Sequence, residues 1–73
     1  MPTFNQRLKE LRKKSNKTQA EMALLLEISS RQYQFYEADQ SYPSFHGLTA
    51  LADYFQVSLD YLVGRSDNPE IKK

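Results

Sequence analysis

Ser30, Arg31, Gln34 and Phe35 bring a hydroxyl, a forked guanidinium, a carboxamide and a phenyl ring into one short segment, SSRQYQF. An arginine donates paired hydrogen bonds from a planar fork, a glutamine donates and accepts through one amide, and a serine hydroxyl does either. Such groups read a pattern of donors and acceptors on a flat edge, and the ring adds apolar surface beside them. Bond-breaking chemistry has no comparable constellation. The chain contains no cysteine, which removes thiol catalysis, disulfides and cysteine-rich zinc sites together. His46 is the lone histidine, with no second ligand to make it a metal site, and Asp53 and Asp60 stand without a nucleophile or base beside them. Neither catalysis, a metal centre nor a cofactor is expected.

The segment must be held by what surrounds it, and the stretch TQAEMALLLEISSRQYQFYEA, Thr18 to Ala38, supplies two short helical patterns back to back. Thr18 with Glu21, and Ser29 with Gln32, have the spacing of a capping box, in which each side chain satisfies a free backbone amide of the other. Ile28 and Tyr33 flank the Ser29 cap at the spacing of a hydrophobic staple. Ala20, Met22 and Ala23 give the first helix a small apolar inner side, extended by Leu26, and Tyr33 and Tyr36 do the same for the second. Small residues let two steeply crossed helices approach. Ser30, Arg31, Gln34, Phe35 and Ala38 are left outward. This layout is a helix-turn-helix, whose second helix enters the DNA major groove by its first turn.

In that setting Arg31 suits guanine, Gln34 adenine and Phe35 a thymine methyl, while Ser30 is permissive. The alternatives are a phosphate contact or a solvated side chain for Arg31, and packing on a neighbouring helix for Phe35.

Three further helices are expected. Thr3 and Gln6 form a capping box before Phe4, Leu8 and Leu11, a buried stripe on a helix running to about Ser15. Ser44 caps a helix with Leu48, Leu51, Ala52 and Phe55 at helical spacing. Val57 and Leu62 staple the Ser58 cap of a last helix, which Gly64 stops. The reading is an all-α domain of five helices over residues 1–65, followed by a polar tail or linker start over 66–73. With 73 residues there is one small core and no room for an ordinary catalytic cleft. No apolar run approaches the ~20 residues of a membrane span, and the amino terminus lacks a secretion signal, so a cytoplasmic protein is expected.

Net charge is only +1. Its distribution is more telling: Arg7, Lys9, Arg12, Lys13, Lys14 and Lys17 crowd the first quarter against Glu10 alone. That cluster is either a solvated helix face or a surface for phosphates.

The segments TQAEMA, ISSRQYQFYE and PSFHGLTALADYFQVSLDYLVG, in this order, resemble the phage-repressor and Cro-like helix-turn-helix proteins, the xenobiotic-response-element family of lambda-repressor-like domains. The resemblance implies sequence-specific binding of double-stranded DNA and transcription regulation, most often repression by a homodimer on a palindromic operator. It implies that Gln19 grips a phosphate and braces the recognition helix, that Lys17, Gln40, Ser41 and Tyr42 lie along the DNA backbone, and that Arg12 pairs with Glu37. It also implies dimerisation through the start of the fifth helix, at Val57, Leu59 and Tyr61, although these residues could equally close the core.

The chain departs from the family pattern at three places. Glu27 stands where glycine is usual, a cost of roughly 1 kcal/mol if the turn is left-handed. The loop from Asp39 to Pro43 has no basic residue. Leu24 and Leu25 replace polar residues, and three consecutive leucines cannot all point inward, which leaves a patch for a partner or a second copy. A protein-interaction module of the same fold, such as an antitoxin with a regulatory protein partner, is the alternative function.

Overall fold

The computed structural model describes residues 2–71. Five helices follow one another: α1 Phe4–Lys14, α2 Gln19–Leu25, α3 Ser30–Glu37, α4 Phe45–Phe55 and α5 Leu59–Leu62, with no strand among the described residues. Among the described residues, no helix is long and apolar enough to cross a membrane. Phe4, Leu8, Met22, Ala23, Tyr33, Tyr36, Leu51, Ala52, Val57 and Leu62 form the core, to which every helix contributes.

Local chemistry explains where the helices begin. The Thr18 hydroxyl accepts from Glu21 N–H at 3.1 Å, while the Glu21 carboxylate accepts from Thr18 N–H at 2.8 Å. Ser29, Ser44 and Ser58 cap α3, α4 and α5 by accepting from Gln32, Gly47 and Tyr61 N–H. The Ser29 box is only half made, because the Gln32 side chain turns away and donates to Ser41 Oγ at 3.2 Å. That bond ties the loop after α3 back to its first turn.

All five helices end on one device. A residue with positive φ follows each of them: Asn16, Glu27, Asp39, Gln56 and Gly64. The next amide then bonds five residues back, Lys17 to Arg12, Ile28 to Ala23, Gln40 to Phe35, Val57 to Ala52 and Arg65 to Asp60, at 2.8–3.2 Å. These are Schellman closures, which satisfy carbonyls left free at a helix end. Only the last uses glycine. There the requirement is double, because a Cβ on Gly64 would lie 2.4 Å from the Pro2 carbonyl oxygen.

Three expectations need correction. Ala20 is exposed, so Met22 and Ala23 alone form the inner side of α2. Val57 is a core residue and lies on no surface. The chain after Arg65 is bound back rather than free over its first residues: Ser58 N–H donates to the Pro69 carbonyl at 2.9 Å and its hydroxyl to the Asn68 carbonyl at 3.3 Å. Lys72 and Lys73, the end of the expected tail, lie outside the described residues.

Glu27→Gly is expected to raise stability by up to about 1 kcal/mol, because it removes a left-handed non-glycine residue. Gly64→Ala is expected to lower it by roughly 2 kcal/mol or more, through φ and the Pro2 clash together. Denaturant midpoints at constant slope check both.

Candidate nucleic-acid interface

With Tyr33 and Tyr36 turned into the core, the 3.6-residue helical repeat leaves the opposite side of α3 to solvent, and Ser30, Arg31 and Gln34 are exposed there. Phe35 is half-buried. The Arg31 guanidinium lies over its ring, with Cζ 5.7 Å from the centroid. No ion pair among the described residues holds that guanidinium. A fork with free donors, one turn from a free carboxamide, is a surface able to pair with an external hydrogen-bonding edge.

The support for α3 converges on Glu37, at its last position. Arg12 on α1 donates to both carboxylate oxygens, Nε to Oε2 at 2.6 Å and Nη2 to Oε1 at 3.1 Å. Tyr33 Oη donates to Oε2 at 2.6 Å, and Gln19 Nε2 on α2 donates to Oε1 at 3.1 Å. Arg12 also donates to the Lys17 carbonyl at 3.0 Å, fixing the link between α1 and α2. Burial alone would push the Glu37 carboxyl up, but the bonds from Arg12, Tyr33 and Gln19 outweigh it and hold the group below its ordinary range. Burial, with the carboxylate accepting its proton, pushes the Tyr33 phenol far up, so it stays a donor. Arg12 and Glu37 therefore meet, while the sequence offered no separate signal for the Tyr33 hydroxyl.

Gln19 is half-buried and spends one N–H on Glu37, so its side chain is oriented by the same carboxylate that anchors α3. Lys17 is half-buried just ahead of it. In the loop, Gln40 is exposed and Ser41 is engaged by Gln32. Tyr42 is 63% exposed, and its hydroxyl donates to Asp39 Oδ1 at 2.5 Å, which holds the phenol above its usual range.

The basic cluster of α1 is smaller than its sequence suggests. Arg7 is 3% exposed, stacks its guanidinium 3.8 Å from the Tyr61 ring centroid, and donates to the Tyr61 and Ser66 carbonyls at 3.0 Å and to Asp67 at 3.3 Å. It is a structural clamp and belongs to no phosphate surface. With Arg12 taken by Glu37, the exposed cations of α1 are Lys9, Lys13 and Lys14. Sequence reasoning missed the clamp because its partners lie more than fifty residues away.

Leu24 is 80% and Leu25 43% exposed, and with Tyr54, Met22 and Lys17 they line one shallow hollow. Leu59 and Tyr61 are half-buried at the start of α5, where the Tyr61 ring is covered by Arg7.

Glu37→Gln should cost roughly 2–3 kcal/mol, because the Arg12 side chain, only 12% exposed, loses its counter-charge. The native Glu37 pKa is depressed, so its contribution is complete above about pH 4.5 and disappears as the pH falls through the native value. Wild-type stability should therefore decline below about pH 4.5, with a shallower decline in the variant, as read by urea unfolding across pH.

The arrangement of α2 and α3 against α1 recurs in known proteins. The chain is similar to the P22 c2 repressor protein, seen in a crystal structure with a synthetic operator, with a TM-score of 0.81 and 26% identity over 90% of this chain and 100% of that one. Among curated relatives it is 42% identical over 62 residues to the cryptic phage CTXphi transcriptional repressor RstR of Vibrio cholerae, covering 85% of this chain and 55% of that protein. It is 37% identical over 69 residues to the HTH-type transcriptional regulator YobD of Bacillus subtilis, covering 94% of this chain and 62% of that protein. The chain thus spans little more than half the length of these two relatives. The family profile described as helix-turn-helix matches residues 8–62, from the core of α1 to the end of α5, and with that span matched the chain belongs to the helix-turn-helix family.

Proposed function

We propose that this domain binds double-stranded DNA sequence-specifically as a transcriptional regulator, a cytoplasmic repressor acting as a homodimer on a palindromic operator. The observation that carries this reading is the outer face of α3, where Ser30, Arg31 and Gln34 are exposed and Arg31 has no ion-pair partner among the described residues. The named repressor relatives and the operator complex of the P22 c2 repressor support it. In this reading α3 enters the major groove and Ser30, Arg31, Gln34 and Phe35 face the bases. Gln19 and Lys17 face phosphates, joined by Gln40, Ser41 and Tyr42 from the loop. Phosphate contacts set the register and base contacts set the sequence. A dimer through Leu59, with the edge of Tyr61, would place two copies of α3 about 34 Å apart, one turn of DNA. Repression would follow from blocking polymerase.

A second reading rests on the exposed hollow of Leu24, Leu25 and Tyr54: a protein-interaction module of the same fold, holding a regulatory partner as an antitoxin does. Salt separates the two. Binding to random duplex DNA should weaken steeply as salt rises, because neutralised phosphates release counterions. Undetectable binding at low salt would favour the interaction module.

Arg31→Ala should relax preference at one base pair by roughly 1–3 kcal/mol, while Gln19→Ala should weaken binding to all sequences alike. Selection of sites from a random DNA pool, followed by titration of each variant, checks both. A selected site without two-fold symmetry would refute the dimer.

A further inference from the structure

Arg31 and Phe35 are one helical turn apart, and the guanidinium lies over the ring at 5.7 Å from its centroid. A guanidinium that pairs with guanine through both arms of its fork lies close to the plane of that base. A ring covering the guanidinium is then displaced along the stack of base pairs rather than within the same plane. The displacement along the stack is at most 5.7 Å, short of two base-pair rises of about 3.4 Å, so the pair the ring can flank beyond that of the guanidinium is the neighbouring one. The ring has no hydrogen-bonding group to offer there. Among the four bases, only thymine presents apolar surface in that groove, through its C5-methyl group. Phe35 is half-buried, and the guanidinium of exposed Arg31 already lies over its ring in the protein without a ligand.

We propose that Arg31 and Phe35 read a two-base step as a unit: a guanine next to a pyrimidine carrying a 5-methyl group, either thymine or 5-methylcytosine. The inference rests on the proposed DNA binding and gives it a ligand class. Arg31 supplies the hydrogen bonds to guanine. Phe35 is a specificity-determining residue that acts on the neighbouring methyl and also positions the guanidinium by a cation–π contact. A site of this kind is sensitive to cytosine methylation in a defined direction, because methylation adds the group that the ring contacts.

The test uses the duplex selected from a random pool and the guanine whose requirement disappears in Arg31→Ala. Replacing the adjacent thymine by uracil removes only the methyl group, and affinity should drop about three- to fourfold, the worth of one buried methyl. At the same position, 5-methylcytosine should bind tighter than cytosine by a similar factor. Both differences should vanish in Phe35→Ala, whatever that variant's absolute affinity, since each is a ratio between two duplexes on one protein. Equal binding of uracil and thymine duplexes by the wild type would overturn the proposal and leave DNA recognition standing. So would a methyl effect that persists unchanged in Phe35→Ala. Absence of binding to any duplex would overturn this proposal and the DNA-binding reading together.

Discussion

The Glu37 carboxylate is the point on which the arrangement of α1, α2 and α3 depends. Moving an ionised carboxyl out of water is costly unless its lone pairs are filled, and here Arg12, Tyr33 and Gln19 fill them from three helices. Apolar packing alone would permit α3 to roll or slide by fractions of a turn, since leucine-like contacts have little directionality. Hydrogen bonds of 2.6–3.1 Å do not. The consequence is that the exposed face of α3 has one orientation relative to the start of α2. Arg12 adds a further link by donating to the Lys17 carbonyl, so the turn into α2 is set by the same guanidinium.

The helix ends impose a second constraint, of the opposite sign for stability. Five Schellman closures keep the connections short and send each helix away at a defined angle, which a chain of this length needs in order to surround one core. Four of the five left-handed positions are occupied by residues other than glycine. Asn16 and Asp39 belong to the types that visit this region most readily, whereas Glu27 and Gln56 gain nothing locally and are strained. Glu27 lies in the turn between α2 and α3, yet the turn keeps its closure, with Ile28 N–H reaching the Ala23 carbonyl at 3.0 Å. Ile28 and Tyr33, on the far side of that turn, are packed in and against the core.

How much of this was legible in the sequence follows from the range of each interaction. The five helix starts were legible because caps act over three residues, and the core positions of α1 and α4 because their apolar stripe repeats within one helix. Arg12 and Glu37 could be paired only through the family resemblance, since nothing in a local pattern joins residues twenty-five positions apart. Arg7 looked identical to its basic neighbours until the fold carried Tyr61, Ser66 and Asp67 around it. Gln32 had the right spacing for a capping box, but Ser41 competed for its amide and won, a contest no window of a few residues contains. Ala20 was misplaced inward for a related reason. On a helix of only seven residues, composition does not fix which side the neighbours cover, and here Met22 and Ala23 are the residues taken into the core.

The withdrawal of Arg7 and Arg12 from the surface changes the electrostatics expected of the proposed DNA complex. Two of the six cations in the first quarter are fixed inside the protein, Lys14 lies 3.6 Å from Glu10, and the loop after α3 carries Asp39 without a compensating base. Fewer cations then remain to neutralise phosphates than the sequence cluster suggests, which implies a shallower salt dependence than a strongly basic binder shows and a weaker attraction to duplexes of arbitrary sequence. Discrimination between sites would accordingly rest more heavily on the base-facing side chains than it does in strongly basic binders. This gives a physical reason for the rigidity built around Glu37. When long-range attraction contributes little, affinity has to come from short-range hydrogen bonds and methyl contacts, and those tolerate almost no error in the position of the helix that makes them.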